Sequence, residues 1–234
     1  MVPLRLSALD LPESAGGSLT ESERRPLRIL CIGAHPDDIE IGAAGALLTL
    51  LSERPGCTVD WVVATSPGAR EQEARASAHA LLAGLADVEV HLLRLRESYL
   101  DGSGVVVKEA MQGVRDALND APDLILTHHR DDRHQDHRAL SDITWNLWRD
   151  HLVLEYEVPK WDGDLSQPSV YVPLSEAVVE RKLAHLRAHF ASQRGKDWFD
   201  DDTFKGLMRL RGMECRSPSR YAEAFHGRKV VLAL

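Results

Sequence analysis

Between residues 27 and 150, strand-like runs alternate with helix-patterned stretches four times, and few folds accommodate that rhythm. "LRILCIG" (27–33), "CTVDWVVAT" (57–65), "VEVHLLRL" (88–95) and "DLILTHH" (123–129) read as strands. "IEIGAAGALLTLLSERPG" (39–56), "REQEARASAHALLAG" (70–84), "VVKEAMQGVRDALND" (106–120) and "DHRALSDITWNLWRD" (136–150) read as helices, the first two stopped by Pro-Gly or Gly. The first strand is apolar throughout, as a strand covered on both faces must be. Strands separated by crossover-length helices predict an α/β fold, a Rossmann-like, mostly parallel sheet with helices on both faces.

After residue 150 the rhythm changes, which predicts a smaller C-terminal α+β extension. "LVLEYEV" and "SVYVPL" are short strands there, and residues 175–193 form a helix with Val179, Leu183, Leu186 and Phe190 on one face. Residues 194–226 show no clear period, and "KVVLAL" (229–234) is expected to join the sheet edge. Residues 1–26, rich in Ser, Glu, Pro and Gly, read as a flexible N-terminal arm before a single domain, 27–234.

A chain of 234 residues with 44% hydrophobic and 27% charged residues buries enough surface to fold without disulfides. Its net charge of −8 argues against nucleic acid and against an anionic membrane surface as partners. The three cysteines, Cys31, Cys57 and Cys215, form no CxxC pair, and Cys31 and Cys57, in strand-like runs, read as small buried hydrophobes of a reducing compartment. No run approaches the length of a signal peptide core or a membrane span, so the expected location is cytoplasmic.

Polar residues gather where two strands end, the place at which open α/β sheets bind ligands. "AHPDD" follows the first strand and "THHRDDRHQDH" follows the fourth. His35 and Asp38 are spaced to aim at one point, and His134 and His137 are three apart at a helix start, hence on one face. Taking His35, Asp38 and His137 as ligands gives two imidazoles and a carboxylate around a cation, with a fourth position open for water. Asp37 is then free to take a proton from that water, and His134, protonated, to stabilise an oxyanion. Helix capping by the two aspartates is the competing explanation for "HPDD" alone. His128 and His129 are expected to line the site without ligating.

"AHPDDIEIGAAG" and "DRHQDH" resemble the two signature motifs of the LmbE-like, or PIG-L, zinc deacetylases, and "RLRGMECRSPSRYAEAF" is similar to that family's late segment. The resemblance runs from about residue 27 to the C-terminus. It implies removal of an N-acetyl group from a glucosamine-containing substrate, with His35, Asp38 and His137 holding Zn2+ (or Fe2+). It also implies Asp37 as general base and later proton donor to the amine, and His134 as oxyanion stabiliser. Arg70, with Glu73, matches an Arg-x-x-Glu segment and would reach sugar hydroxyls or a phosphate; Asp101 matches a carboxylate that binds a sugar diol. Many members carry Glu directly after the second Asp, where this chain has Ile39 and then Glu40. Asp132 and Asp136 are candidates to orient the ligands.

The expected partner is a soluble amino-sugar-containing small molecule, and a homo-oligomer is an open alternative. Trp161, Trp198 and Phe199 are placed at the entrance. An iron(II) oxygenase and a two-metal phosphohydrolase are the rival readings of the same cluster; a nucleotide-binding module ranks last, for want of a GxGxxG.

Overall fold

The structure, a computed structural model, describes residues 26–230. Residues 1–25 of the expected arm and 231–234 of the expected last strand lie outside the described residues. The elements in chain order are β1 (Arg28–Gly33), α1 (Asp38–Ser52), β2 (Thr58–Val63), α2 (Arg70–Leu82), β3 (Asp87–Leu92), α3 (Gly104–Ala117), β4 (Leu124–His128) and α4 (Gln135–Leu147). After them come β5 (Val153–Tyr156), β6 (Val170–Leu174), α5 (Glu176–His189), α6 (Asp201–Glu214) and β7 (Tyr221–Gly227). Every strand and helix expected between 27 and 150 is present within a few residues.

The strands form one seven-stranded sheet in the order β3-β2-β1-β4-β5-β7-β6. β1 pairs in parallel with β2 and β4, β2 with β3, and β4 with β5; β7 is antiparallel to both β5 and β6. Alternate residues of β1 feed two cores, as a pleated strand buried on both faces requires. Ile29 and Cys31 join the larger core beneath α1, α2, α5 and α6, while Leu30 and Ile32 join the smaller one beneath α3 and α4. The chain moves outward from β1 to β3, then returns to lay β4 on β1's other side. Connections on the two sides of that reversal diverge and open a crevice at the C-terminal ends of β1 and β4.

The C-terminal region departs from expectation. Residues 194–226 contain α6 and β7, and β7 lies between β5 and β6; residues 229–230 are in no strand. Only Phe204, Met208, Arg211 and Gly212 of α6 are buried, too sparse an apolar stripe to show a helical period. Gly212 is there because the Arg220–Tyr221 backbone crosses it: a Cβ would stand 2.1 Å from the Arg220 oxygen. Cys31 and Cys57 are buried and unpaired, and no helix among the described residues is long and apolar enough to cross a membrane.

The small residues of α1 have a packing cause. A Cβ on Gly42 would meet Tyr156 Cδ2 at 2.2 Å, so the Tyr156 side chain packs directly on the helix where only glycine fits. From there Tyr156 donates its hydroxyl to the Ile32 carbonyl at 2.7 Å and packs on His128, 4.9 Å between ring centroids. Gly42→Ala is therefore expected to destabilise the fold by about 1–3 kcal/mol through overpacking. A lower urea midpoint with unchanged m-value is the confirming measurement.

Candidate metal centre

The β1 strand ends at Gly33, and the next four residues turn sharply into α1. Asp37 takes φ 110°, a left-handed conformation that non-glycine residues rarely adopt. It holds the N-cap position of α1, yet its side chain makes no capping hydrogen bond, so capping does not account for it. Asp38 Oδ2 accepts the His35 amide at 2.7 Å instead, closing the turn on itself. Across the crevice, the β4–α4 connection brings His134 and His137.

Three donor atoms converge there. His35 Nδ1 is 3.2 Å from His137 Nε2 and 3.3 Å from Asp38 Oδ2, and His137 Nε2 is 3.5 Å from Asp38 Oδ2. Tetrahedral coordination at zinc–ligand lengths near 2.0–2.1 Å sets donor atoms about 3.3 Å apart, so this triangle fits the ion the donor set calls for. The outer nitrogens of both rings face carboxylates: His35 Nε2 lies 3.2 Å from Asp136 Oδ2, and His137 Nδ1 lies 2.9 Å from Asp132 Oδ2. Such pairings fix the tautomer and turn the inner lone pairs toward a metal. Asp136 is itself gripped by the Ser98 and Leu100 amides at 2.6 and 3.0 Å.

The field at this point is negative. Burial alone would lower His35, but Asp38, Asp136 and Asp37 outweigh it and lift its pKa to about 10. Burial, with His128 adding to it, takes His137 down to about 3, which keeps its lone pair free. Asp38 is held well below the usual carboxylate range: burial opposes this, but His137, His128 and His35 prevail. Asp37 goes the other way, raised by burial and by Asp38 against the pull of Arg70 and His35. A metal must displace the His35 proton, so its affinity falls as the solution is acidified.

The remaining residues divide. His134 caps α4 with its ring, Nδ1 accepting the Asp136 amide at 3.2 Å, and burial lowers its pKa. The proton of this neutral ring is then on Nε2, so it can donate a hydrogen bond without first being protonated, unlike the sequence expectation. His128 Nε2 accepts the Ala34 amide at 2.8 Å, and the ring stacks on His137 at 3.9 Å, so it backs the cluster. His129 turns away to Glu155, 2.9 Å from its Nδ1. Arg70 does not stand free for substrate: it donates to the Pro36 carbonyl at 2.8 Å, to Asp37 Oδ1 at 3.2 Å and to Glu97 at 2.9 Å. Asp101 is exposed beside the loop held by Asp136, its Oδ1 accepting the Gly102 amide at 2.8 Å. Glu73 binds Ser192 and Glu40 binds Ser77, both outside the triangle. Phe199, expected at the entrance, packs against the core with Phe190 and Phe204.

Lys160 is the residue that motif reading missed. Its ammonium sits 2.9 Å from Asp132 Oδ1 and 2.7 Å from Asp164, with only 8% of the side chain exposed. It thus pins the carboxylate that orients His137, from the distant β5–β6 connection, where a lone Lys gives no motif signal. Lys160→Met is expected to weaken metal retention roughly ten- to a hundredfold, read by competition with a chromogenic chelator, with Lys160→Arg retaining most of it.

The chain is similar to several known proteins. The family model described as GlcNAc-PI de-N-acetylase (PIG-L) matches residues 30–148, which include both polar clusters. An uncharacterized deacetylase, YaiS of Escherichia coli (strain K12), is 30% identical over 188 residues, 74% of this chain and 95% of that protein. Among solved structures, N,N'-diacetylchitobiose deacetylase from Pyrococcus horikoshii superposes with TM-score 0.65 at 20% identity, covering 86% of this chain and 83% of that one. GalB, the 4-carboxy-2-hydroxymuconate hydratase of Pseudomonas putida KT2440, does so with TM-score 0.59 at 17% identity, covering 89% and 99%. The two structures establish the fold alone, since one architecture carries two reactions.

Proposed function

The chain belongs to the PIG-L (LmbE-like) family, and from that premise we propose that it is a metal-dependent hydrolase removing an N-acetyl group from a soluble amino-sugar-containing small molecule. The observation that carries the reading is the donor triangle of His35, Asp38 and His137, with Asp37 kept out of it. Bound there, Zn2+, or Fe2+ in its place, would lower the pKa of a water and polarise the acetyl carbonyl.

The protein's own groups supply the rest. Asp37 accepts the proton of the attacking water, a task suited to a carboxylate whose pKa is raised. Arg70 holds Asp37 in place at 3.2 Å, and its charge favours the deprotonated carboxylate against the effect of burial. His134, as a neutral imidazole, donates a hydrogen bond from its Nε2–H to the oxyanion of the tetrahedral adduct and keeps its proton. As the C–N bond breaks, Asp37 returns its proton to the departing amine, which leaves neutral. Asp101, on the loop that Asp136 holds, bonds sugar hydroxyls. Residues 27–234 act as one domain in this reading, in the cytoplasm.

The rival readings draw less support. A two-metal phosphohydrolase would need a second cation beside Asp37, where the Arg70 guanidinium already stands at 3.2 Å. Family membership speaks against the oxygenase. The test is a panel of N-acetyl sugars incubated with zinc- or iron(II)-loaded protein and scored for free amine and acetate. Release from at least one, abolished by chelation and restored by metal, is the expected result. No release from any, with about one ion bound per chain, overturns the proposal.

A further inference from the structure

A second array of reactive side chains lies outside the metal centre, where the β5–β6 connection passes the end of β4. His129 Nδ1 is 2.9 Å from Glu155 Oε2, and its Nε2 is 3.2 Å from Ser166 Oγ. Glu155 is fully buried and accepts the Trp145 indole N–H at 2.6 Å, the Arg130 amide at 3.0 Å and the Arg228 guanidinium. Burial would raise its pKa, but the His129 and Arg228 hydrogen bonds prevail and hold it at about 2. An ionised carboxylate only accepts, so the His129 proton is on Nδ1 and the Nε2 lone pair faces the Ser166 hydroxyl. The exposed Asp131 carboxylate is 3.9 Å from that nitrogen, beyond hydrogen-bond reach.

His226 stacks on His129, 3.8 Å between ring centroids, and its Nε2 is 3.3 Å from the same Ser166 Oγ. Burial, with His129 adding to it, takes the His226 pKa down to about 4, so this ring is neutral at pH 7. The donors then run one way: His226 Nε2–H to Ser166, Ser166 to His129, His129 to Glu155. Ser166 is exposed, yet its segment is fixed on both sides. Asp164 accepts the Arg133 amide at 2.7 Å, the Arg211 guanidinium donates to the Ser166 carbonyl at 2.9 Å, and the Ser169 amide donates to the Phe225 carbonyl at 3.0 Å.

We propose that Ser166, His129 and Glu155 form a second, metal-independent site that cleaves small carboxylic esters, with Ser166 as nucleophile, His129 as general base and Glu155 orienting the imidazole. A hydroxyl, a base within hydrogen-bond reach of it and a third group behind the base recur on unrelated folds and are recognised by geometry. Here the carboxylate is buried and the hydroxyl open to solvent, the order that an incoming ester requires. Ser166 Oγ attacks the ester carbonyl while His129 Nε2 takes its proton. The His226 N–H, beside Oγ, is the donor nearest the charge that develops. The C–O bond to the alcohol breaks, His129 passes the proton to the leaving oxygen, and the acyl group stays on Ser166. Water then attacks the acyl-serine; His129 takes the water proton and returns it to Oγ as the carboxylic acid departs. The three residues act apart from the donor triangle of His35, Asp38 and His137, so the proposal does not rest on the deacetylase reading.

The test treats the full chain, metal-loaded and chelator-treated, with a fluorophosphonate and with p-nitrophenyl acetate. The expected result is one phosphonate adduct per chain, on the peptide that carries Ser166, and p-nitrophenol release that survives chelation. Ser166→Ala, a change at an exposed position, loses the adduct and lowers ester cleavage by about a hundredfold, while amine release from N-acetyl sugars is unchanged. His129→Gln lowers labelling of Ser166 by about a hundredfold as well, the usual contribution of a positioned base. No adduct on Ser166, ester cleavage indifferent to Ser166→Ala, or cleavage that disappears with the metal overturns the site and leaves the deacetylase reading standing. Labelling of Ser166 without amine release from any N-acetyl sugar keeps the site and counts against the deacetylase reading alone.

Discussion

Asp37→Asn lowers kcat by about a hundredfold or more, the usual contribution of a positioned general base, while metal content stays at the wild-type level. Asparagine is the informative substitution because the backbone at this position has φ 110°, and Asn tolerates positive φ better than Ala does. The side-chain volume is kept and only the ability to take a proton is lost. Activity measured beside elemental analysis separates the two effects. Near-wild-type turnover would remove Asp37 from the reaction. A companion experiment uses Arg70, whose charge lowers the Asp37 pKa. The base works deprotonated, so the rate falls on the acid side as Asp37 gains its proton. Arg70→Met removes the stabilising cation, favours the protonated form, and moves that acid limb to higher pH.

His137→Ala gives the opposite signature, loss of the ion and of activity together. The ring supplies one corner of the triangle, with Asp132 on its far nitrogen to orient it, a support that His128 and His134 lack. His128 is committed to the Ala34 amide and His134 Nδ1 to that of Asp136. We expect metal content near zero after dialysis and turnover down by about a thousandfold or more, given how much of such a reaction a metal supplies. The variant also ceases to gain thermal stability from added zinc, because that gain is binding free energy linked to folding. A variant that keeps its ion through dialysis would place the ligands elsewhere.

The core of the fold was legible because β1, β2 and β4 are largely apolar runs and β3 alternates apolar with polar residues, each closed by glycine, proline or clustered charge, signals that local chemistry writes directly. The cluster was legible for a related reason: both histidine–aspartate segments sit at strand ends, and the reversal between β1 and β4 makes those ends neighbours. Asp132 and Asp136, picked as orienting groups, stand on His137 and His35. Long-range partnership was not legible. Lys160 lies more than twenty positions from the histidines it serves, and Arg70 faces Asp37 rather than the open crevice only because α2 begins beside it. α6 escaped notice because its inward face uses Arg211, which donates to Glu157 at 2.9 and 2.6 Å, in place of an aliphatic residue.

The placement of β7 bears on how the molecule is made. Among the described residues β6 has no sheet neighbour except β7, and β5 has β7 on its outer side. During synthesis, residues 170–174 must therefore wait for 221–227 before they can join, and until then β5 presents a bare edge to any other nascent strand. The catalytic half can assemble early on the ribosome; the wall that carries Glu157 and Arg211 closes last. Conditions that slow this final insertion, such as low temperature or a stalled ribosome, would favour edge-to-edge misassembly over slow refolding.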